Sequence, residues 1–411
     1  MVLSSFNIKI IYFIFLLFHL HLSHFFFEFN SLYVEAFFSG SLYMLTFILL
    51  NPHKINPYLL VAVIISFFSL MIGIYNDWYL GDIIGDSYRY VAPILGFAVG
   101  LKLLDEVNSE GINKLIKIIL IIYTSLFLFD VIEFLIIALI NNNELFTYAN
   151  RINIDVSPIL FIFGYSLFIQ KPFNYYTLLF AIVAFFTISI MLINLSKANF
   201  ILIFLYMLIP MIFLKKYLMN IFLIILILIL FVILFDLIEY RINPMIKTIS
   251  DFITLNEINT HDYSTASRLT EVSTIFKSFS NNILMIFTGF GNGSLLMGIE
   301  SSAGINPINF RENGGLHHIH IEYFSLLYRN GIIGLLFYVY WQLYIIRKSL
   351  VFTNNHTYSV SLQYLFSICI GTYIIGISMI AFTNAGFYGK LGIGLLAALV
   401  IKISNLKKHN E

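Results

Sequence analysis

The sequence predicts an all-α polytopic integral membrane protein of about twelve transmembrane helices, interrupted by one long loop on the outer side of the membrane. Three observations predict it. The first is composition: of 411 residues, 59% are hydrophobic and 17% aromatic while only 11% are charged, whereas a soluble domain carries about 25% charged residues. The second is the recurrence of apolar stretches long enough to cross a hydrocarbon core, which takes about 20 residues each. The third is the placement of Lys and Arg in the short connections between those stretches, which assigns alternate connections to the two sides. With 23 Lys+Arg against 22 Asp+Glu the net charge is +1, so there is no basic footprint for nucleic acid. The single cysteine, Cys369, forms neither a disulfide framework nor a thiolate metal site.

The predicted spans lie near 8–27, 32–50, 57–74, 88–103, 115–140, 156–170, 175–194, 198–214, 218–235, 319–346, 360–381 and 386–404. The first is read as a helix and not a cleaved signal, because residues 28–40 stay apolar and aromatic and offer no small-residue cleavage site. The ninth is purest, since 221–235 contains no polar residue. Orientation follows from charge. With the N-terminus inside, Lys9, Lys54, Lys102, Lys114, Lys117, Lys171, Lys215, Lys216, Arg347, Lys348, Lys402, Lys407 and Lys408 are cytoplasmic. Only Arg89, Arg151, Lys197 and Lys390 fall in short outer connections. The bias fits an even number of spans with both termini inside. Residues 1–235 then hold helices one to nine, 236–318 form the outer loop with its amphipathic helix, and 319–411 hold the last three helices and a short cytoplasmic tail. The nine-and-three division departs from the equal halves of a repeat-built transporter.

The loop is the only stretch of soluble composition, and chemistry is expected there. From Ser267 the chain reads SRLTEVSTIFKSFS, with Leu269, Val272, Ile275, Phe276 and Phe279 on one helical face. Arg268 opens that helix, where exposed backbone N–H groups favour an anion, so Arg268 and a helix N-terminus together suggest a phosphate site. The alternative is that Arg268 pairs with Asp262 or Glu271, or faces water. The glycine turn Gly289–Ser294 (GFGNGS) could bring backbone close to a ligand; without a following Lys-Ser/Thr it is not a P-loop, and otherwise it joins two surface helices. Next come His317, His318 and His320, ahead of the tenth span. On a helix these three imidazoles would not converge on one ion, so no metal site is expected. A histidine at the mouth of a membrane cavity suits a general base, because its pKa lies near working pH. Other candidates are interfacial: His19, His21 and His24 at the outer end of the first span, and Asp130 with Glu133, one turn apart in the fifth, where acids are costly.

An Arg opening an amphipathic helix, a Gly-x-Gly turn, then His followed at a distance by a Gly-x-x-Gly-Leu run resembles the O-antigen polymerase and O-antigen ligase family of bacterial surface-polysaccharide assembly. Here these residues are Arg268, Gly289 and Gly291, then His320, Gly331, Gly334 and Leu335; Leu195, Ser196 and Lys197 are similar to the family's Ser-Arg motif between two spans. The motifs cover residues 195–340. Two positions depart: Ile321 stands where the family places Asn after its histidine, and Lys197 replaces an Arg, keeping charge but losing the bidentate fork.

The resemblance implies a GT-C-like membrane glycosyltransferase of the bacterial inner membrane, metal-independent and without cofactor, its long loop periplasmic. It implies an undecaprenyl-diphosphate-linked glycan as donor, with a flippase and chain-length regulators as partners. Catalysis then falls to His320, with His318 as the alternative base, and diphosphate binding to Arg268, Lys197, Arg241 and Arg311. The expected activity is polymerisation of lipid-linked repeat units; the alternatives are the ligase, which transfers glycan to lipid A-core, and a polysaccharide flippase or other secondary transporter.

Overall fold

The computed structural model describes residues 5–26, 32–50, 56–140, 156–170, 197–214, 235–255, 262–298, 315–317, 319–351, 361–381 and 390–408. Among them the chain is almost wholly helical, and its only β pairing is the isolated antiparallel bridge of Leu296 with Leu316. The helices are α1 (Ser5–Phe26), α2 (Leu32–Leu49), α3 (Pro57–Tyr75), α4 (Leu80–Leu103), α5 (Ser109–Ile140), α6 (Val156–Gln170), α7 (Lys197–Leu214), α8 (Phe235–Leu255), α9 (Tyr263–Asn281), the single turn α10 (Met285–Thr288), α11 (Glu322–Val351), α12 (Leu362–Ile380) and α13 (Leu391–Lys408). Ten of these coincide with predicted spans; the spans expected at 175–194 and 218–235 lie outside the described residues, apart from Phe235, which opens α8. Three helices, Pro57–Tyr75, Ser109–Phe129 and Leu362–Ile380, are long and apolar enough to cross a membrane, and five shorter stretches are apolar as well.

The hub is α4. It packs against α13 closely enough that a Cβ on Gly394 would sit 2.0 Å from the Pro93 carbonyl oxygen, and one on Gly96 would sit 2.2 Å from that of Leu391. Small residues that let backbones meet are the usual basis of helix association in lipid, where burial itself gives no driving force. Around this pair lie the buried rings of Tyr90, Phe97, Tyr338 and Trp341, with Tyr90 stacked on Tyr338 at 5.7 Å. By contrast α3 turns Val63, Ile64, Phe67, Phe68 and Met71 outward, as expected of a helix whose surroundings are apolar.

The two ends of α4 differ in kind. At its C-terminal end Lys9 pairs with Glu106, Lys402 donates to the Asp105 carbonyl, and Gln363 donates to Ser109. The start of α1, the α4–α5 turn, the start of α12 and the end of α13 therefore share one face, as the charge bias predicts. The other end carries the loop, and here sequence and structure part in two places. The fourth helix begins at Leu80 and not near 88, because Asp82 and Asp86, which lower the hydropathy of that stretch, are buried inside the protein, Asp86 against Arg329 and both near His317. The tenth predicted span is not one continuous helix from 319: it begins at Glu322 and breaks at Gly331, which has φ +66° and ψ −176°.

That break has a built counterpart. Interrupting the helix orphans the carbonyls of Tyr328 and Arg329, and the glycine turn supplies their donors: Phe290 N–H reaches Tyr328 O at 2.8 Å and Gly291 N–H reaches Arg329 O at 3.1 Å. Gly289, Gly291 and Gly293 all adopt positive φ, and a Cβ on Gly291 would lie 2.6 Å from the Gly73 nitrogen of α3. The turn does bring backbone close, but to α3, α4 and the broken helix. A second small core covers it, built from Ile275 and Phe279 of α9, Leu296, Leu316, Ile319 and Tyr328.

Candidate functional site

Two groups of ionisable side chains lie near the N-terminal end of α4. The deeper one centres on Asp86, whose Oδ2 lies 2.9 Å from Arg329 Nε and 3.3 Å from His317 Nε2, and accepts from Gly293 N–H at 2.8 Å. Arg89, one turn along α4, approaches Oδ1 at 3.8 Å, and His317 Nδ1 stands 3.8 Å from Asp82 Oδ1. The Arg329 guanidinium also donates to Ser325 Oγ at 2.7 Å and to the His317 carbonyl at 2.5 Å. Asp82, Asp86 and Arg329 are all buried. Burial pushes the Asp86 carboxyl up, but the Arg329 guanidinium and the His317 ring hold it below its usual range.

The shallower group centres on Glu271 of α9, fully buried, with both carboxylate oxygens on one residue. Oε1 lies 2.5 Å from His320 Nδ1 and Oε2 accepts His320 N–H at 2.9 Å. A carboxylate only accepts, so Nδ1 is the donor in this contact. The imidazole retains 29% exposure. Arg268, one turn before Glu271, is half-buried; its Nη1 donates to the Ser264 carbonyl at 3.1 Å and to the Ser264 hydroxyl. Burial pushes its pKa down, and the neighbouring Glu271 and Asp262 pull it back up.

The sequence-derived candidates are thus partly assembled. His320 holds Glu271, one turn after Arg268 on α9; the sequence offered Glu271 only as a pairing partner for Arg268. The helix N-terminus does not join them: α9 starts at Tyr263, and its cap is Asp262, whose carboxylate accepts Thr265 N–H and already fills the anion position. His317 and His320 do not lie on a helix either, since Leu316 is bridged to Leu296 and α11 begins only at Glu322. His317 turns into the Asp86 cluster while His320 turns to Glu271.

Lys197 opens α7 and Arg241 lies within α8, but their side chains are outside the described residues, as are those of His19, His21, His24, Asp130 and Glu133. His318 and Arg311 lie outside the described residues altogether. Sequence reasoning missed Asp82, Asp86 and Arg329. The available signal was the i,i+4 spacing of two acids in an apolar surrounding, which marks buried function or buried pairing. Comparison with protein-family models, curated proteins and solved structures finds no match for the chain.

Proposed function

We propose that this protein is a twelve-span membrane glycosyltransferase that polymerises surface polysaccharide from undecaprenyl-diphosphate-linked repeat units on the periplasmic face of the bacterial inner membrane, with both termini cytoplasmic. The observation that carries this reading is the contact of His320 with the buried Glu271, with Arg268 one turn earlier on the same helix. A partly exposed imidazole oriented by a buried carboxylate, with a cation one turn away, is what transfer from a diphosphate to a sugar hydroxyl requires.

In that reaction His320 Nε2 takes the proton of the acceptor hydroxyl as its oxygen attacks the anomeric carbon of the donor. The bond from that carbon to the phosphate oxygen breaks, and the diphosphate leaves with its charge. Glu271 stabilises the imidazolium that forms. Arg268, released from Ser264, meets the charge developing on phosphate; Lys197, Arg241 and Arg311 are further candidates for that role. Bilayer lipid surrounds the donor's prenyl chain.

A second reading, secondary transport, is favoured by one observation: ionisable groups around Asp86 beside a helix broken at Gly331, the kind of arrangement transporters use. It fits less well because Asp82 and Asp86 sit in the first two turns of α4, away from its middle.

The test is a surface-polysaccharide gel of a strain lacking the protein, complemented with wild type or His320→Ala. Core capped by a single repeat unit in the deletion strain, with a ladder restored by wild type alone, supports polymerisation. Polymer accumulating on the lipid carrier would indicate the ligase. An unaltered ladder in the deletion strain removes both and leaves transport.

A further inference from the structure

We infer that Asp86 and Arg329 form a clamp that positions the His320 segment for reaction, so that two buried residues with no access to substrate set the turnover rate. The inference rests on His320 being the base, and it assigns a role to charges which that reading leaves unused.

The segment in question, residues 315–321, joins the outer loop to α11. Among its described residues there is no helix, and Leu316 is bridged to Leu296, just after the glycine turn. What fixes it otherwise is side chain. Arg329 reaches back from α11 to hold the carbonyl of His317 at 2.5 Å, and the His317 ring meets Asp86 at 3.3 Å. Asp86 also receives Gly293 N–H, which ties the glycine turn to the same carboxylate. One carboxylate on α4 therefore fixes α11, the glycine turn and the His317 ring, and His320 follows three residues later, facing Glu271 on α9.

Geometry assigns these groups to positioning and not to contact with substrate. Arg329 is 1% exposed and Asp86 is fully buried, and the guanidinium is spread over Asp86, Ser325 and the His317 carbonyl. The backbone of Arg329 is engaged as well: its carbonyl accepts from Gly291 and lies 2.8 Å from Ser69 Oγ of α3. Arg329 is thus fixed at both ends, just before the break at Gly331. A rigid holder of this kind is what keeps a base within reach of the proton it takes, because displacement by about 1 Å costs on the order of a hundredfold in rate.

Two variants separate the parts of the clamp. Arg329→Lys keeps a cation for Asp86 but cannot also hold Ser325 and the His317 carbonyl; Asp86→Asn removes the charge and keeps the shape. Each is purified in nanodiscs beside wild type and His320→Ala. Turnover is followed with lipid-linked repeat units extracted from the deletion strain, and amide hydrogen exchange is followed across the chain.

The expected result is wild-type protection in α4 and α13, faster exchange confined to 315–321, and kcat lowered about ten- to a hundredfold with little change in donor KM. Three results would overturn the clamp: unchanged kcat in both folded variants, lowered kcat with 315–321 exchanging as in wild type, or loss of protection throughout α4 and α13 in both variants, which would make the cluster purely structural. His320→Ala turning over like wild type would instead strike the base assignment, and with it the clamp's catalytic role. Exchange at 315–321 would still report whether the clamp holds that segment.

Discussion

Glu271 holds His320 through two contacts at once, one to the ring Nδ1 and one to the backbone N–H of the same residue. A carboxylate gripping both the imidazole and its own backbone fixes ring tautomer and chain position together. Glu271→Gln keeps an acceptor for Nδ1 but lacks the charge that stabilises an imidazolium. On the proposed reading it should lower polymerisation by less than His320→Ala, since a general base contributes about 10²–10⁴-fold. Turnover of both variants, with membrane expression matched by immunoblot, checks the ranking; a Glu271→Gln enzyme as slow as His320→Ala would mean that the charge carries the whole effect.

Arg268 now spends its Nη1 donor on Ser264 of its own helix, and burial holds its pKa below the usual guanidinium value. An arginine partly stripped of water gains from an anionic ligand. Arg268→Lys should raise donor KM about tenfold, the loss of one charge-assisted hydrogen bond at about 1.5 kcal/mol, and should spare kcat more than KM. Steady-state kinetics with lipid-linked repeat units checks this. An unchanged KM would return Arg268 to a structural role capping its own turn.

How far the sequence reached is clearest at the N-terminal end of α4. Periodicity found α9, and of the face it assigned Ile275 and Phe279 are buried while Phe276 is 56% exposed, because only part of that face meets the second core. Hydropathy placed α6 with its ends at 156 and 170, since no charge interrupts it. The same measure failed at Asp82 and Asp86: a window that counts an acid as exposed cannot know that Arg329, more than two hundred residues away, will neutralise it. The pairing of the glycine turn with the break at Gly331 was equally hidden, because each motif reads as a loop signal on its own and only the fold joins them. Of the site, Arg268 and His320 were legible by residue type; Glu271 was visible only as a partner for Arg268, since nothing in its spacing says that a segment 49 residues later folds back onto it.

Gly331 should tolerate no side chain. Its φ of +66° is costly for other residues, about 1–3 kcal/mol, and a Cβ would lie 2.2 Å from the Phe287 carbonyl oxygen and 2.4 Å from its carbon. Gly331→Ala must therefore displace α10, which carries the turn that satisfies Tyr328 O and Arg329 O. Thermal unfolding in detergent should shift down, with the loss of amide protection greatest at 285–296 and 328–332. Gly392→Ala is the control: the nearest atom to its Cβ would be Leu17 Cδ1 at 3.6 Å, ordinary contact distance. Equal melting temperatures for the two variants would show that the break at Gly331 is not a requirement of the fold.

Topology can be tested with the protein's own chemistry, because its single cysteine, Cys369, is buried among α6 and α12 and its thiol lies 3.1 Å from the Ile159 carbonyl oxygen. It should give no background with a membrane-impermeant maleimide. Glu106→Cys stands at the face where α1, α12 and α13 gather, while Leu284→Cys stands in the outer turn, where the native side chain is 72% exposed. In whole spheroplasts Leu284→Cys should label and Glu106→Cys should not; in inverted membrane vesicles the order should reverse. The prediction follows from α4 alone, whose opposite ends carry these two regions, so it does not depend on how many other spans the chain has. Labelling of both positions from the same side would contradict a membrane-crossing α4, and with it the placement of the His320–Glu271 site on the outer face.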